Sequence, residues 1–167
     1  MNLRELLSSH PSRFTIDIAV DSIIKEPALS HELIDLLLHA PDRIPNMAAW
    51  ALTVCNEQNS KLVVPYIPQL IENLPRFNHS GIVRMVLRTL LMSEIPESES
   101  GKLFDFCLKC IDQKMPIAVI ANAMDILFKI AEKEPDLKNE LRFIFEEQLL
   151  SEEKGIKSKA NNILKKL

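Results

Sequence analysis

Cys107-Leu108-Lys109-Cys110 comes closest in this sequence to a reactive arrangement. Two cysteines at that spacing can bind zinc or exchange disulfides. A tetrahedral zinc site needs a second ligand pair, and the chain offers only Cys55 in addition. Burial as small apolar residues is therefore the expected role of both cysteines. His31, Asp35 and His39 recur every four residues and line up along one helix face. Such a face can hold a metal, but further ligands are not evident, so a solvated face is expected. Asn78-His79-Ser80 fits a glycosylation acceptor. The segment Met1-Asn2-Leu3-Arg4-Glu5-Leu6-Leu7 lacks the long apolar core of a secretion signal, so that match is read as chance. No nucleophile, base and orienting group form a local signature. The residues thus predict no catalytic site, no metal site and no cofactor.

The elements that would have to position such residues are helices. The chain has 167 residues, of which 47% are hydrophobic and 26% charged, the balance of an ordered globular protein. Only Gly81, Gly101 and Gly155 occur, against ten prolines. Nucleotide folds need several glycines where backbone approaches phosphate, so this scarcity argues against them. It favours helices, because a glycine inside one costs about 1 kcal/mol relative to alanine. No apolar stretch reaches the roughly 18 residues that a membrane span requires. Three cysteines in a chain of this length do not form a disulfide framework, and a reducing cytoplasm is the expected location.

One apolar pattern, at i, i+4, i+7 and i+8, recurs along the chain. It reads Met47, Ala51, Val54, Cys55, then Val83, Leu87, Leu90, Leu91, then Val119, Ala123, Ile126, Leu127, then Ile156, Ala160, Ile163, Leu164. The offsets between copies are 36, 36 and 37 residues, and an earlier copy, Ile16, Val20, Ile23, Ile24, precedes the first by 31. This is the buried stripe of an amphipathic helix. A second stripe, at i, i+3, i+4, alternates with it: Leu33, Leu36, Leu37; Ile67, Leu70, Ile71; Cys107, Cys110, Ile111; Leu141, Ile144, Phe145. Pro27, Pro41, Pro45, Pro75, Pro96, Pro116 and Pro135 fall at the junctions, where a missing N–H does least harm.

These features resemble HEAT repeats. Val64-Pro65-Tyr66-Ile67-Pro68-Gln69-Leu70-Ile71 is similar to the proline-bearing second helix of that family, and Ala121-Asn122-Ala123-Met124-Asp125-Ile126-Leu127 to its first helix. The resemblance covers about residues 14–167 and extends to armadillo-type repeats and to small bacterial proteins of this kind. It implies an all-α fold, a short right-handed α-solenoid of about four to five HEAT-like helical hairpins in one domain, residues 1–167. The repeats would span 14–40, 43–75, 79–113 and 116–150, with a final helix at 153–167. Two departures are Leu87, where other copies carry alanine, and the want of a clear aspartate–arginine ladder between repeats. HEAT-like DNA glycosylases line a basic groove with aromatics, whereas here Trp50 and Tyr66 are the only residues of their kind. Trp50 lies within a buried stripe and is expected in the core. Lys114-Met115-Pro116 resembles part of the signature loop of the fumarase and adenylosuccinate lyase superfamily. The serines that precede that loop are missing, and so are the lysine and asparagine that follow it. No catalytic residue is carried over.

Solenoids of this family generally bind through their exposed faces. The leading expectation is a non-enzymatic scaffold or adaptor that binds a protein partner. Glu72, Arg76, Lys109 and Gln113 fall off the apolar stripes, and Arg84 and Arg88, four apart, share one helix face. These six are the expected contact residues. A final helix without a second helix beside it would leave an apolar flank, so self-association through the solenoid ends is a further expectation, unless Leu164 and Leu167 fold inward. A rival reading is nucleic-acid binding through residues 61–93, which hold Lys61, Arg76, Arg84 and Arg88 against Glu72, and 154–167, which hold five lysines and no acid. The overall net charge of −3 and the small size of both patches disfavour it. Another is an enzyme with a small site on the concave face.

Overall fold

The computed structural model describes residues 2–167, and among them every regular element is helical. The chain divides into two compact units, Met1–Ile95 and Pro96–Leu167. Unit 1 holds α1 (Leu3–Ser8), α2 (Arg13–Lys25), α3 (Leu29–His39), α4 (Ile44–Gln58), α5 (Ile67–Asn73) and α6 (Ser80–Leu91). Unit 2 holds α7 (Glu97–Asp112), α8 (Ile117–Lys133), α9 (Lys138–Gln148) and α10 (Lys154–Leu164).

The stripes read from the sequence become the cores. Ile16, Val20, Ile23, Met47, Ala51, Val54, Cys55, Val83, Leu87 and Leu90 are buried in unit 1, and Val119, Ala123, Ile126, Leu127, Ile156, Ala160 and Ile163 in unit 2. Within each unit the first-type helices stack on one another: α4 lies against α2 and α6, and α10 against α8. α4 is the centre of unit 1 and packs against α1, α2, α3 and α6. A helix enclosed on most sides must be apolar or small around most of its girth. That is why α4 reads Met47-Ala48-Ala49 and then Ala51-Leu52-Thr53-Val54-Cys55-Asn56, all buried. In unit 2, α7 pairs with α8, and α9 with α10.

Local chemistry sets the ends of these helices. The Ser12 hydroxyl accepts the Thr15 N–H and opens α2. His79 Nδ1 accepts the Gly81 N–H at 3.1 Å and caps α6, which gives the middle residue of the glycosylation-like triplet a structural role. α7 closes with Met115 N–H donating to Cys110 O and Lys114 N–H to Ile111 O, a turn that places Lys114 at φ 50° in the left-handed region. Glycine is the usual residue there, and Lys114 takes its place.

Several expectations need correction. The resemblance begins earlier than residue 14: α1 buries Leu3 and Leu7 and packs against α2, α3 and α4. The second helix expected over 64–71 forms as an α-helix only from Ile67 onward, where Ile67, Leu70 and Ile71 are buried as read. Pro65, Pro68 and Pro75 each remove an N–H donor, and the chain breaks into 3-10 turns at Val64–Tyr66 and Leu74–Arg76 around the seven-residue α5. Ile24 is exposed, and Leu91, Ile144 and Leu164 are only half-buried, whereas the matching last positions Cys55 and Leu127 are fully enclosed. Trp50 is half-buried, because Asn46, Trp50 and Glu57 share the side of α4 that its neighbours leave most open.

Candidate protein-interaction surface

Each of the six expected contact residues is exposed. On α5, burial of Ile67, Leu70 and Ile71 turns Glu72 to the outside. Arg76 ends the 3-10 turn after α5, and its guanidinium donates to Asn73 Oδ1 at 3.5 Å. On α6, burial of Ile82, Val83, Val86, Leu87 and Leu90 leaves Arg84 and Arg88 one turn apart on the opposite face. On α7, Leu103, Phe104, Cys107, Cys110 and Ile111 fill the packed side, so Lys109 projects outward and Gln113 forms the C-cap. Glu72, Arg76, Arg84 and Arg88 thus lie on α5, the turn after it and α6 of unit 1, and Lys109 and Gln113 on α7 and its C-cap in unit 2.

The residues that tempted a chemical reading do not assemble a reactive centre. Cys55, Cys107 and Cys110 are free thiols and all are buried. Burial pushes the Cys55 thiol up to about 12 and Cys110 up to about 11, a backbone hydrogen bond opposing the latter in part. Burial, and then its neighbour Cys110, hold Cys107 well above the usual thiol range. Nucleophilic cysteines need the reverse, a lowered pKa in an accessible, electropositive setting. His31, Asp35 and His39 are exposed along α3, and the His31 ring lies 6.3 Å from that of Tyr66 in a tilted contact. No group of three potential metal ligands occurs among the described residues. No helix among them is long and apolar enough to cross a membrane.

One polar feature escaped the sequence reading. Where α4 meets α6, the Thr53 and Thr89 hydroxyls lie 3.1 Å apart, and each is also within 3.2 Å of Met85 O. Asn56 Nδ2 donates to Thr89 O at 3.3 Å. Ser93 Oγ lies 2.7 Å from Thr89 O and 3.4 Å from Asn56 Oδ1. All four side chains are buried. Where α8 meets α10, Lys159 Nζ donates to Asp125 Oδ2 at 2.7 Å, with both side chains about a third exposed. Thr53, Thr89 and Asp125 stand at successive intervals of 36 residues, each two positions after Ala51, Leu87 and Ala123. The signal was a polar residue recurring inside a buried stripe.

Unit 2 carries a second surface of note. Phe143 is 65% exposed and Leu150 is 84% exposed, while Leu149, Lys154, Lys157, Ser158 and Asn161 line a shallow depression of about 440 Å³.

Stacked first-type helices, hairpin pairing within each unit and a recurring inter-helix polar position define a helical repeat protein. The chain belongs to the HEAT repeat family: the model of the HEAT repeat domain matches residues 3–167, which includes α1. No curated protein and no solved structure matches it.

Proposed function

We propose that this protein is a non-enzymatic scaffold or adaptor that binds a protein partner through Glu72, Arg76, Arg84 and Arg88 of unit 1 and Lys109 and Gln113 of unit 2. HEAT repeats generally mediate protein–protein interaction, and the family is typically non-enzymatic. The observation that carries the reading is a division of labour in the side chains. Every thiol is buried and held protonated, whereas the six polar residues stand exposed on helices whose opposite faces anchor them in a core. Rigid helices that present arginine favour docking onto a complementary partner surface.

The test is affinity capture from the native cell, with the wild-type chain compared against Arg84→Glu/Arg88→Glu and Lys109→Glu/Gln113→Ala. A partner retained by the wild type and lost from one variant, at unchanged thermal stability, supports the reading. Equal retention by all three proteins overturns the residue assignment. The exposed arginines of α6 and lysines of α10 also keep nucleic-acid binding as a second reading. Steeply salt-dependent binding to DNA or RNA supports that alternative, and its absence at low salt removes it.

A further inference from the structure

We infer that the α9–α10 hairpin is a self-complementary surface whose partner is a second copy of this chain. On α9, burial of Leu141 and Phe145 places Phe143 on the opposite, outward side, and Leu150 stands exposed in the turn that follows the helix. Around Phe143 the exposed charges are Glu140, Arg142, Glu146 and Glu147, with the two acids Glu146 and Glu147 side by side toward the end of α9. On α10, burial of Ile156, Ala160 and Ile163 turns Lys154, Lys157, Ser158 and Asn161 outward, where they line the depression together with Leu149. Among the described residues, none of Glu146, Glu147, Lys154 and Lys157 is joined in an ion pair within the chain.

An isologous interface requires one patch to complement itself after a two-fold rotation. Glu146 and Glu147 beside exposed Phe143 on one helix, next to Lys154 and Lys157 beside a depression on the other, satisfy that requirement. In the proposed dimer, Phe143 of each copy enters the depression of the other, and Glu146 and Glu147 meet Lys154 and Lys157 across the two-fold axis. These charges select the chain's own α10 over a generic apolar partner. This inference goes beyond the scaffold reading, because it uses a different surface and needs no second protein.

The experiment is analytical ultracentrifugation of the full chain over a range of protein and salt concentrations. The wild type is expected to form dimers that loosen as salt rises. Lys154→Glu/Lys157→Glu and Glu146→Lys/Glu147→Lys each place like charges across both contacts, and each is expected to weaken dimerisation by about tenfold or more. Mixed one to one, the two variants regain opposite charges at both contacts and are expected to form a heterodimer. Phe143→Asp, at an exposed position that leaves the core intact, is expected to give monomers even in low salt. A wild type that stays monomeric at high concentration overturns the proposal. So does a pair of variants that fail to recover when mixed, or that dimerise as well as the wild type. Arg84→Glu/Arg88→Glu is expected to dimerise normally, so loss of an external partner and loss of the dimer are separable.

Discussion

The seam between α4 and α6 and the seam between α8 and α10 occupy equivalent places in the repeat, yet they are built from different chemistry. The first is closed by the neutral groups Thr53, Asn56, Thr89 and Ser93, all buried. The second is closed by the charged pair Asp125 and Lys159, about a third exposed. Desolvation explains the choice. A fully buried charge costs several kcal/mol, while hydroxyls and amides that bond each other lose little on burial. Where water reaches the seam, an ion pair keeps most of its hydration and loses little. The repeat therefore conserves a place for a polar bridge, and local burial selects the groups that make it.

The largest effect expected at these seams comes from packing. Leu87 stands where Ala51, Ala123 and Ala160 stand in three other copies and Val20 in the first, and it is fully buried. Leu87→Ala is expected to cost about 2–5 kcal/mol, read from chemical denaturation, because α6 has filled a space the other copies leave to closer helix approach. A loss below about 1 kcal/mol would mean that α4 and α6 close up as alanine-bearing helices do.

Next in size is the neutral ladder itself. Asn56→Ala removes the donor to Thr89 O and the acceptor near Ser93 Oγ, and it is expected to cost about 1–3 kcal/mol with almost no dependence on salt. Strong salt dependence in the same denaturation series would contradict a neutral bridge.

Alkaline pH probes the same helix by another route. Cys55 sits on α4 with its thiol pushed from 9.0 up to about 12. The native state therefore holds a proton that the unfolded chain releases above pH 9. Stability from this group is complete below pH 9 and falls as pH rises from there toward 12, by at most about 1.4 kcal/mol per pH unit. Cys55→Ala is expected to flatten that decline in urea melts taken between pH 8 and 10.5, a range chosen about the usual thiol pKa. An unchanged slope would place the burden on Cys107 and Cys110.

The smallest effect belongs to the charged seam. Asp125→Asn is expected to cost less than about 1 kcal/mol, and its coupling to Lys159→Met in a double-mutant cycle should shrink as salt is added. A larger, salt-insensitive coupling would show that this seam is drier than its exposure indicates.

Much of this fold was legible in the sequence, for a definable reason. Apolar spacing at i, i+4, i+7 and i+8 is a one-dimensional image of helix geometry, so Met47, Val83, Val119 and Ile156 announced buried helix faces directly. The exposure of Glu72, Arg76, Arg84, Arg88, Lys109 and Gln113 followed from the same periodicity, because residues off a buried stripe face water. α1 escaped because Leu3 and Leu7 form too short a stripe to stand out, and it gains its place from α4, far along the chain. The Thr53–Thr89 bridge escaped because polar residues inside an apolar stripe acquire a meaning only when their partner is known.

By itself the sequence determined the all-α class, the repeat and the outward turn of Glu72, Arg76, Arg84, Arg88, Lys109 and Gln113, since each depends on local periodicity. Only the tertiary structure decided that Asn46, Trp50 and Glu57 mark the open side of α4, that 3-10 turns at Pro65 and Pro75 flank a short α5, and that Phe143 and Leu150 stand in water. Those outcomes depend on which helix covers which face, and coverage is set by distant segments whose approach no local pattern records.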